Sequence, residues 1–169
     1  MTETPDQMQT LTDRLDPARA AALHVALGRV GPAPGDGDAL PPFWHQVYFW
    51  APRAAADLGA DGHAALGGLI PDMGLPRRMW AGGALEFRAP LRLGQDAEKQ
   101  TRLISATRKT GRSGPLGFVV LQHRLVQGGT VKVVERQDLV FRAAPTPGDP
   151  APQIVIASIS GDTRIASFD

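Results

Sequence analysis

The sequence predicts an α+β domain in which a long, curved antiparallel sheet accompanies a helix. The first observation behind this is the alternation from residue 84 to 92. Leu85, Phe87, Ala89 and Leu91 fall on one side and Glu86, Arg88 and Arg92 on the other, the period of a half-buried strand. The second is a set of three further strand candidates at 99–109, 115–126 and 131–142. Each is about a dozen residues long, against the usual 5–6, and strands of that length curl around something. The third is one well-signalled helix near the N-terminus. Asp16 is placed to cap it, Pro17 to occupy its first position and Gly28 to stop it.

Taken in order, residues 1–9 are polar and read as disordered. The helical pattern then spans about 11–27, with a short helix from Thr12 ahead of the main one and a face shared by Leu23, Ala26 and Leu27. Residues 31–42 are a Gly/Pro loop. Residues 43–50, Phe-Trp-His-Gln-Val-Tyr-Phe-Trp, have strong β preference and are expected to form a strand. Residues 51–65 suggest a short alanine-rich helix ending near Gly59, followed by an Asp61-Gly62-His63 turn. A loop at 76–83 is expected to feed the strand beyond it. Of the later strands, 115–126 is apolar on both faces at its start, which places it centrally. Gln127-Gly128-Gly129-Thr130 is a compact hairpin turn, and Lys109 to Gly114 a looser one. Residues 143–169 form a proline-rich linker and an irregular tail, with a short edge strand at 153–159.

With 169 residues the chain has room for one domain with a substantial core. A net charge of +1 argues against nucleic acid as a partner. There is no cysteine, so disulfides and thiolate metal sites are excluded, in keeping with a reducing cytoplasm. The N-terminus lacks the order of a signal peptide, and no apolar run reaches the roughly 20 residues of a membrane helix. A cytoplasmic, membrane-free protein is expected.

Chemistry has few carriers. The four histidines show no metal-binding spacing, and GxSxG, P-loop and GxGxxG motifs are absent. His24 reads as a partly exposed helix residue, His45 as a hydrogen-bonded core histidine, and His63 as an exposed turn residue. A catalytic role is the alternative for each. Binding is the stronger theme. Between Arg77 and Arg112 stand nine arginines and lysines against Glu86, Asp96 and Glu98. A solvated face accounts for this, and so does an anion-binding surface. Arginine forks suit phosphate, and Met79 and Trp80 beside Arg77 and Arg78 suit an adenine or acyl chain. Gly82 and Gly83 allow close approach of backbone or ligand. An acyl-CoA needs that mixture, and the candidate binding residues are Arg77, Arg78, Met79, Trp80, Gly82, Gly83, Lys109, Arg112 and Ser113.

Five blocks occur in order: Pro41-Pro42-Phe43-Trp44-His45, residues 58–63 (Leu-Gly-Ala-Asp-Gly-His), residues 76–83 (Pro-Arg-Arg-Met-Trp-Ala-Gly-Gly), residues 109–116 (Lys-Thr-Gly-Arg-Ser-Gly-Pro-Leu) and residues 135–142 (Glu-Arg-Gln-Asp-Leu-Val-Phe-Arg). Over roughly residues 10–142 the chain resembles the N-terminal half of the MaoC-like acyl-thioester hydratases and dehydratases. The likeness is strongest to the mesaconyl-CoA hydratase and 3-hydroxyacyl-thioester dehydratase branch. The resemblance implies a hotdog fold, a long sheet wrapped around a helix, in one domain over 10–142. It also implies two hotdogs in tandem in full-length relatives, with an Asp-x-x-x-x-His pair in the second. No histidine here has an aspartate five residues before it. The expectation is therefore an acyl-CoA-binding hotdog with no catalytic residue of its own and no cofactor. It would dimerise with itself or pair with a catalytic hotdog chain. The alternative is an active homodimeric hydratase or thioesterase working at the dimer interface through His45, Asp61 or His63.

Overall fold

The computed structural model describes residues 8–59, 61–111 and 114–144. Five strands form one antiparallel sheet: β1 (Met8–Arg14), β2 (Arg77–Phe87), β3 (Asp96–Gly111), β4 (Gly114–Gln127) and β5 (Thr130–Arg142). Their spatial order is β1-β3-β4-β5-β2, which leaves β1 and β2 at the edges and β4 at the centre. The helix α1 (Pro17–Ala26) follows β1, and its fully buried Ala20 joins Leu125 of β4 and Val133 of β5 in one core cluster. This is the expected α+β hotdog. Among the described residues no helix is long and apolar enough to cross a membrane.

Several elements follow the sequence directly. Asp16 caps α1 by accepting from the Ala18 N–H at 2.9 Å, with Pro17 at the first position. Gly28 ends it in the left-handed region at φ 60°. β3, β4 and β5 run to 16, 14 and 13 residues. Gly128 and Gly129 both take positive φ, 57° and 72°, in the tight β4–β5 turn, as a two-residue hairpin requires.

Other expectations are corrected. Residues 8 and 9 are not disordered, and no short helix starts at Thr12, because residues 8–14 form β1. It pairs from Met8 with Arg102 to Arg14 with Asp96. Its residues alternate between exposed and half-buried, a period-2 pattern set by Gln9, Leu11 and Asp13. Of the expected α1 face, only Leu23 packs against the core, while Leu27 is 54 % exposed. Residues 43–50 are not a strand. They fold into a 3₁₀ turn over Trp44–Val47, bounded by Phe43 and Phe49 at φ 69° and 61°. Packing overrides β propensity here, because the turn buries Trp44, Tyr48 and Phe49 together. Two bonds pin its end: Tyr48 Oη donates to the Asp16 carbonyl at 2.7 Å, and the Phe49 N–H to Asp13 Oδ2 at 2.8 Å. The alanine-rich segment yields one 3₁₀ turn, Ala55–Asp57, rather than a longer helix. The supposed loop at 77–83 is the first half of β2, and the alternation stops at Phe87 instead of Leu91. Residues 1–7, Arg112, Ser113 and the 145–169 tail, with its expected edge strand, lie outside the described residues.

The core has two parts. One gathers α1, the aromatic turn and one end of the sheet around Leu15, Leu93, Leu125 and Val133. The other joins Val119, Leu121, Leu139 and Phe141 of the sheet to Met73 and Leu75, with Leu66 and Ile70 packed against it. Between the two clusters the inner face of the sheet turns polar.

Candidate functional site

On β4 the inward residues are Leu121, His123, Leu125 and Gln127. His123 thus sits between an apolar residue of each core cluster. Cross-strand pairing places Thr101 of β3 and Glu135 of β5 beside it, then Gln9 of β1 and Leu85 of β2 at the two ends. A polar row therefore crosses the middle of an otherwise apolar face. Lys99 stands one row away from Thr101 along β3, and Gln137 one row away from Glu135 along β5.

Both imidazole nitrogens of His123 are engaged. Nδ1 is 2.8 Å from Thr101 Oγ1 and Nε2 is 3.3 Å from Gln137 Oε1. The pairing fits a neutral ring that accepts from the threonine hydroxyl and donates to the amide oxygen. Burial, then the Lys99 charge, pushes the His123 pKa below the ordinary histidine value. Burial pushes the Glu135 carboxyl up. The adjoining His45 ring first, then the charges of His123, Lys99 and His45, outweigh it and hold the group below the usual glutamate value. His45 Nε2 lies 3.9 Å from Glu135 Oε2, and Gln46 Nε2 donates to the same oxygen at 3.4 Å. His45 is buried, as expected, although on a turn rather than a strand.

A cleft of about 960 Å³ opens over this face. The sheet contributes Leu11, Lys99, Thr101, Leu121 and His123, and the segment from Arg53 to Ile70 closes the opposite side. The volume and the mixture of apolar walls with a few polar groups are those of a small-molecule site.

The neutral His123 carries a pH prediction. Below the ordinary histidine value of 6.5 the unfolded chain takes up a proton that the folded chain refuses. Stability therefore falls as pH drops from there toward the lower folded-state pKa, by at most about 1.4 kcal/mol per pH unit. The corresponding Glu135 contribution is lost only below the ordinary glutamate value of 4.5. Urea midpoints measured across the first window should fall in the wild-type chain and fall less in His123→Gln. Equal slopes would contradict the assignment.

The expected binding residues do not converge on one surface. Arg78 lines the cleft, where its Nε and Nη2 each lie 3.0 Å from Asp61 Oδ2. Arg77 and Lys109 belong instead to an outer-face row running Lys109, Leu116, Arg142, Arg77. Adjacent strand residues point to opposite faces, so the Arg77-Arg78 pair is divided between them. Lys109 Nζ lies 5.7 Å from the Phe118 ring. Met79 and Trp80 are 42 % and 68 % exposed on the edge strand. Gly82 and Gly83 directly follow a register shift in β2, which falls between Trp80 and Gly82. A Cβ on Gly83 would meet the Arg136 carbonyl oxygen at 2.5 Å, so here backbone does approach backbone. Arg112 and Ser113 are outside the described residues. The wider basic excess is dispersed: Arg88 pairs with Glu86, and Arg108 donates to the Asp72 carbonyl. Asp61 and His63 form the expected exposed turn.

Lys99, Thr101, His123, Glu135 and Gln137 were missed as site residues. The available signal was the sequence's own alternation, in which polar residues occupy inward positions between Leu103, Leu121, Leu125 and Val133.

A family model described as hydroxyacyl-thioester dehydratase type 2 matches residues 43–166. The chain belongs to this family. Within the hydroxyacyl-thioester dehydratase family it is similar to the mesaconyl-C(4)-CoA hydratase of Chloroflexus aurantiacus. The two are 40 % identical over 135 residues, which is 80 % of this chain and 47 % of the relative. The chain thus spans about half the length of that curated relative. Among solved structures it is similar to the ChsH1-ChsH2 complex from Mycobacterium tuberculosis, with a TM-score of 0.59 at 15 % identity, covering 83 % of this chain and 86 % of that one. That likeness concerns the fold. The (R)-hydratase PhaJ1 of Pseudomonas aeruginosa is a looser match, with a TM-score of 0.48 at 14 % identity over 82 % of each chain.

Proposed function

We propose that this dehydratase-family hotdog binds an acyl-CoA thioester, with the acyl group in the cleft over His123, and acts as the pocket-forming partner of a catalytic hotdog chain. The observation that carries the reading is the cleft of about 960 Å³ on the inner sheet face. Its apolar walls suit an acyl chain, and Arg53 and Arg78 among its lining suit the phosphates of the carrier. Trp80 and Met79, exposed on edge strand β2, are assigned to pairing with a second hotdog. The solved neighbour is itself a complex of two named chains, which is in keeping with such pairing.

A pocket-forming role rather than a catalytic one is supported by the state of the candidate bases. His123 has both nitrogens committed to protein groups. His63 is exposed, and its neighbour Asp61 is tied to Arg78. A second reading, in which the chain is itself a hydratase or thioesterase, draws on the pair of buried His45 and half-buried Glu135. An acid and a base so placed are the elements of proton transfer.

The test of binding is a calorimetric titration with butyryl-CoA. The wild-type chain should bind it, and Ile70→Trp, which fills the cleft from its half-exposed wall, should bind at least about tenfold more weakly. Equal affinity in the two folded proteins would place the acyl group elsewhere, and no binding to the wild type would remove the reading.

A further inference from the structure

The chain has three lysines, Lys99, Lys109 and Lys132, and no cysteine. Among the described residues Lys99 is the one lysine that lines the cleft, where it stands with Leu121, His123 and Ile70. It lies on the inner face of β3, paired across the sheet with Leu11 of β1 and Leu125 of β4. The other cations of the lining are Arg53 and Arg78, whose guanidinium groups keep their protons and do not attack a carbonyl carbon. Among the described residues the Lys99 ammonium makes no hydrogen bond and no ion pair, so no partner holds its proton in place. Burial lowers its pKa from the ordinary lysine value, and the charge of Glu135 offsets this only in part. A lysine so placed presents more free amine than a surface lysine at the same pH, and the free amine is the nucleophile.

We infer that Lys99 is a self-acylation site, at which a thioester seated in the cleft passes its acyl group to Nζ. The inference rests on the thioester-binding reading and adds to it a covalent fate for the bound ligand. Lys99 gives up one proton to solvent, and the free amine attacks the thioester carbonyl carbon. The C–N bond forms, the C–S bond breaks, and the carrier leaves as a thiolate that takes up a proton of the attacking nitrogen. The products are an amide on Lys99, free CoA thiol and one released proton. Holding amine and carbonyl in one cleft supplies the proximity that aminolysis of an activated ester chiefly needs. The event is stoichiometric, one acyl group per chain, and is not turnover. The amide cancels the lysine charge and leaves an acyl chain tethered between the walls formed by Leu121 and Ile70, where it blocks entry of a second thioester.

The experiment incubates the full chain with butyryl-CoA at mildly alkaline pH and follows intact mass, released thiol and, by peptide mapping, the occupancy of each lysine. Lys99 should acquire one butyryl group at a rate that saturates with butyryl-CoA and exceeds the rates of Lys109 and Lys132 by at least about tenfold. Thiol should appear in equal amount, and the modified chain should no longer bind butyryl-CoA in the calorimeter. The double variant Lys109→Arg, Lys132→Arg should be labelled like the wild type, and unfolding the wild type in urea should bring its three lysines to equal rates. Lys99→Arg should lose the fast phase, and mapping of the wild type carries the test if that variant does not fold. Equal rates at the three lysines of the folded chain would overturn the inference. An unmodified Lys99 in a chain that binds butyryl-CoA by titration would overturn it too and leave thioester binding standing. So would label on Thr101, recognised as an ester cleaved by hydroxylamine, which would assign the attack to the hydroxyl beside His123 Nδ1. Failure of the wild type to bind butyryl-CoA would remove the parent reading and this inference together.

Discussion

Phe141→Ala should destabilise the chain by about 3–5 kcal/mol, the usual result of emptying a large buried site. Phe141 is 1 % exposed on β5 and is among the largest fully buried side chains. Its cross-strand partner on β4 is Gly117. A Cβ there would lie 3.2 Å from Phe141 Cβ and 2.9 Å from Met73 Cε. The ring therefore packs close to the methionine that anchors the segment closing the cleft. Its removal should reach past the core. Met73 and Leu75 share this cluster with the half-buried Leu66 and Ile70, so their support weakens and thioester affinity should fall with stability. Guanidinium unfolding monitored by tryptophan fluorescence reads the first effect. A loss below about 1 kcal/mol would mean that this cluster does not hold the fold as described.

Gly83→Val is the second large effect, expected to cost about 2–3 kcal/mol through overpacking. An added Cβ at Gly83 would stand 2.5 Å from the Arg136 carbonyl oxygen, a backbone atom that cannot move without opening the β2–β5 ladder. The same Cβ would lie 3.6 Å from Trp80 Cζ2. The strain should therefore displace the first half of β2, taking Arg78 away from the cleft and Trp80 away from its edge position. Gly82→Ala is the control. Its Cβ would find only Asp138 Oδ2, at 4.0 Å, and its cost should stay within about 1 kcal/mol. Melting temperatures of the two variants should separate clearly, and equal ones would contradict the close approach at residue 83.

The contrast between these glycines shows where the sequence was informative. A Gly-Gly pair at the start of an alternating run signals close approach of backbone. Only the pairing register with Arg136 and Gln137 decides which glycine is pressed and that both lie within the strand. The three long strands, their central member and the Gly128-Gly129 turn were legible because period and turn chemistry are local properties. The aromatic run at 43–50 was misread for the opposite reason. Its β preference is intrinsic, but the positive φ at Phe43 and Phe49 and the burial of Trp44 and Tyr48 come from contacts with residues far along the chain. β1 was hidden by brevity, with helix-like spacing continuing into α1. At the site, the arginine cluster was conspicuous in sequence yet is divided by the strand's own alternation. Lys99, Thr101, His123 and Glu135 carry no motif. They come together only because three strands align in one register, which no local pattern records.

On the proposed reading this chain shapes an acyl pocket without itself adding water to the acyl group. Hydration of crotonyl-CoA and mesaconyl-CoA by the purified chain alone, followed as loss of the conjugated chromophore, tests it most directly. The expected result is no turnover above a buffer control in a preparation that still binds butyryl-CoA. Turnover well above that control, lost on replacing His45 or Glu135, would contradict it and make the His45–Glu135 pair the catalytic centre.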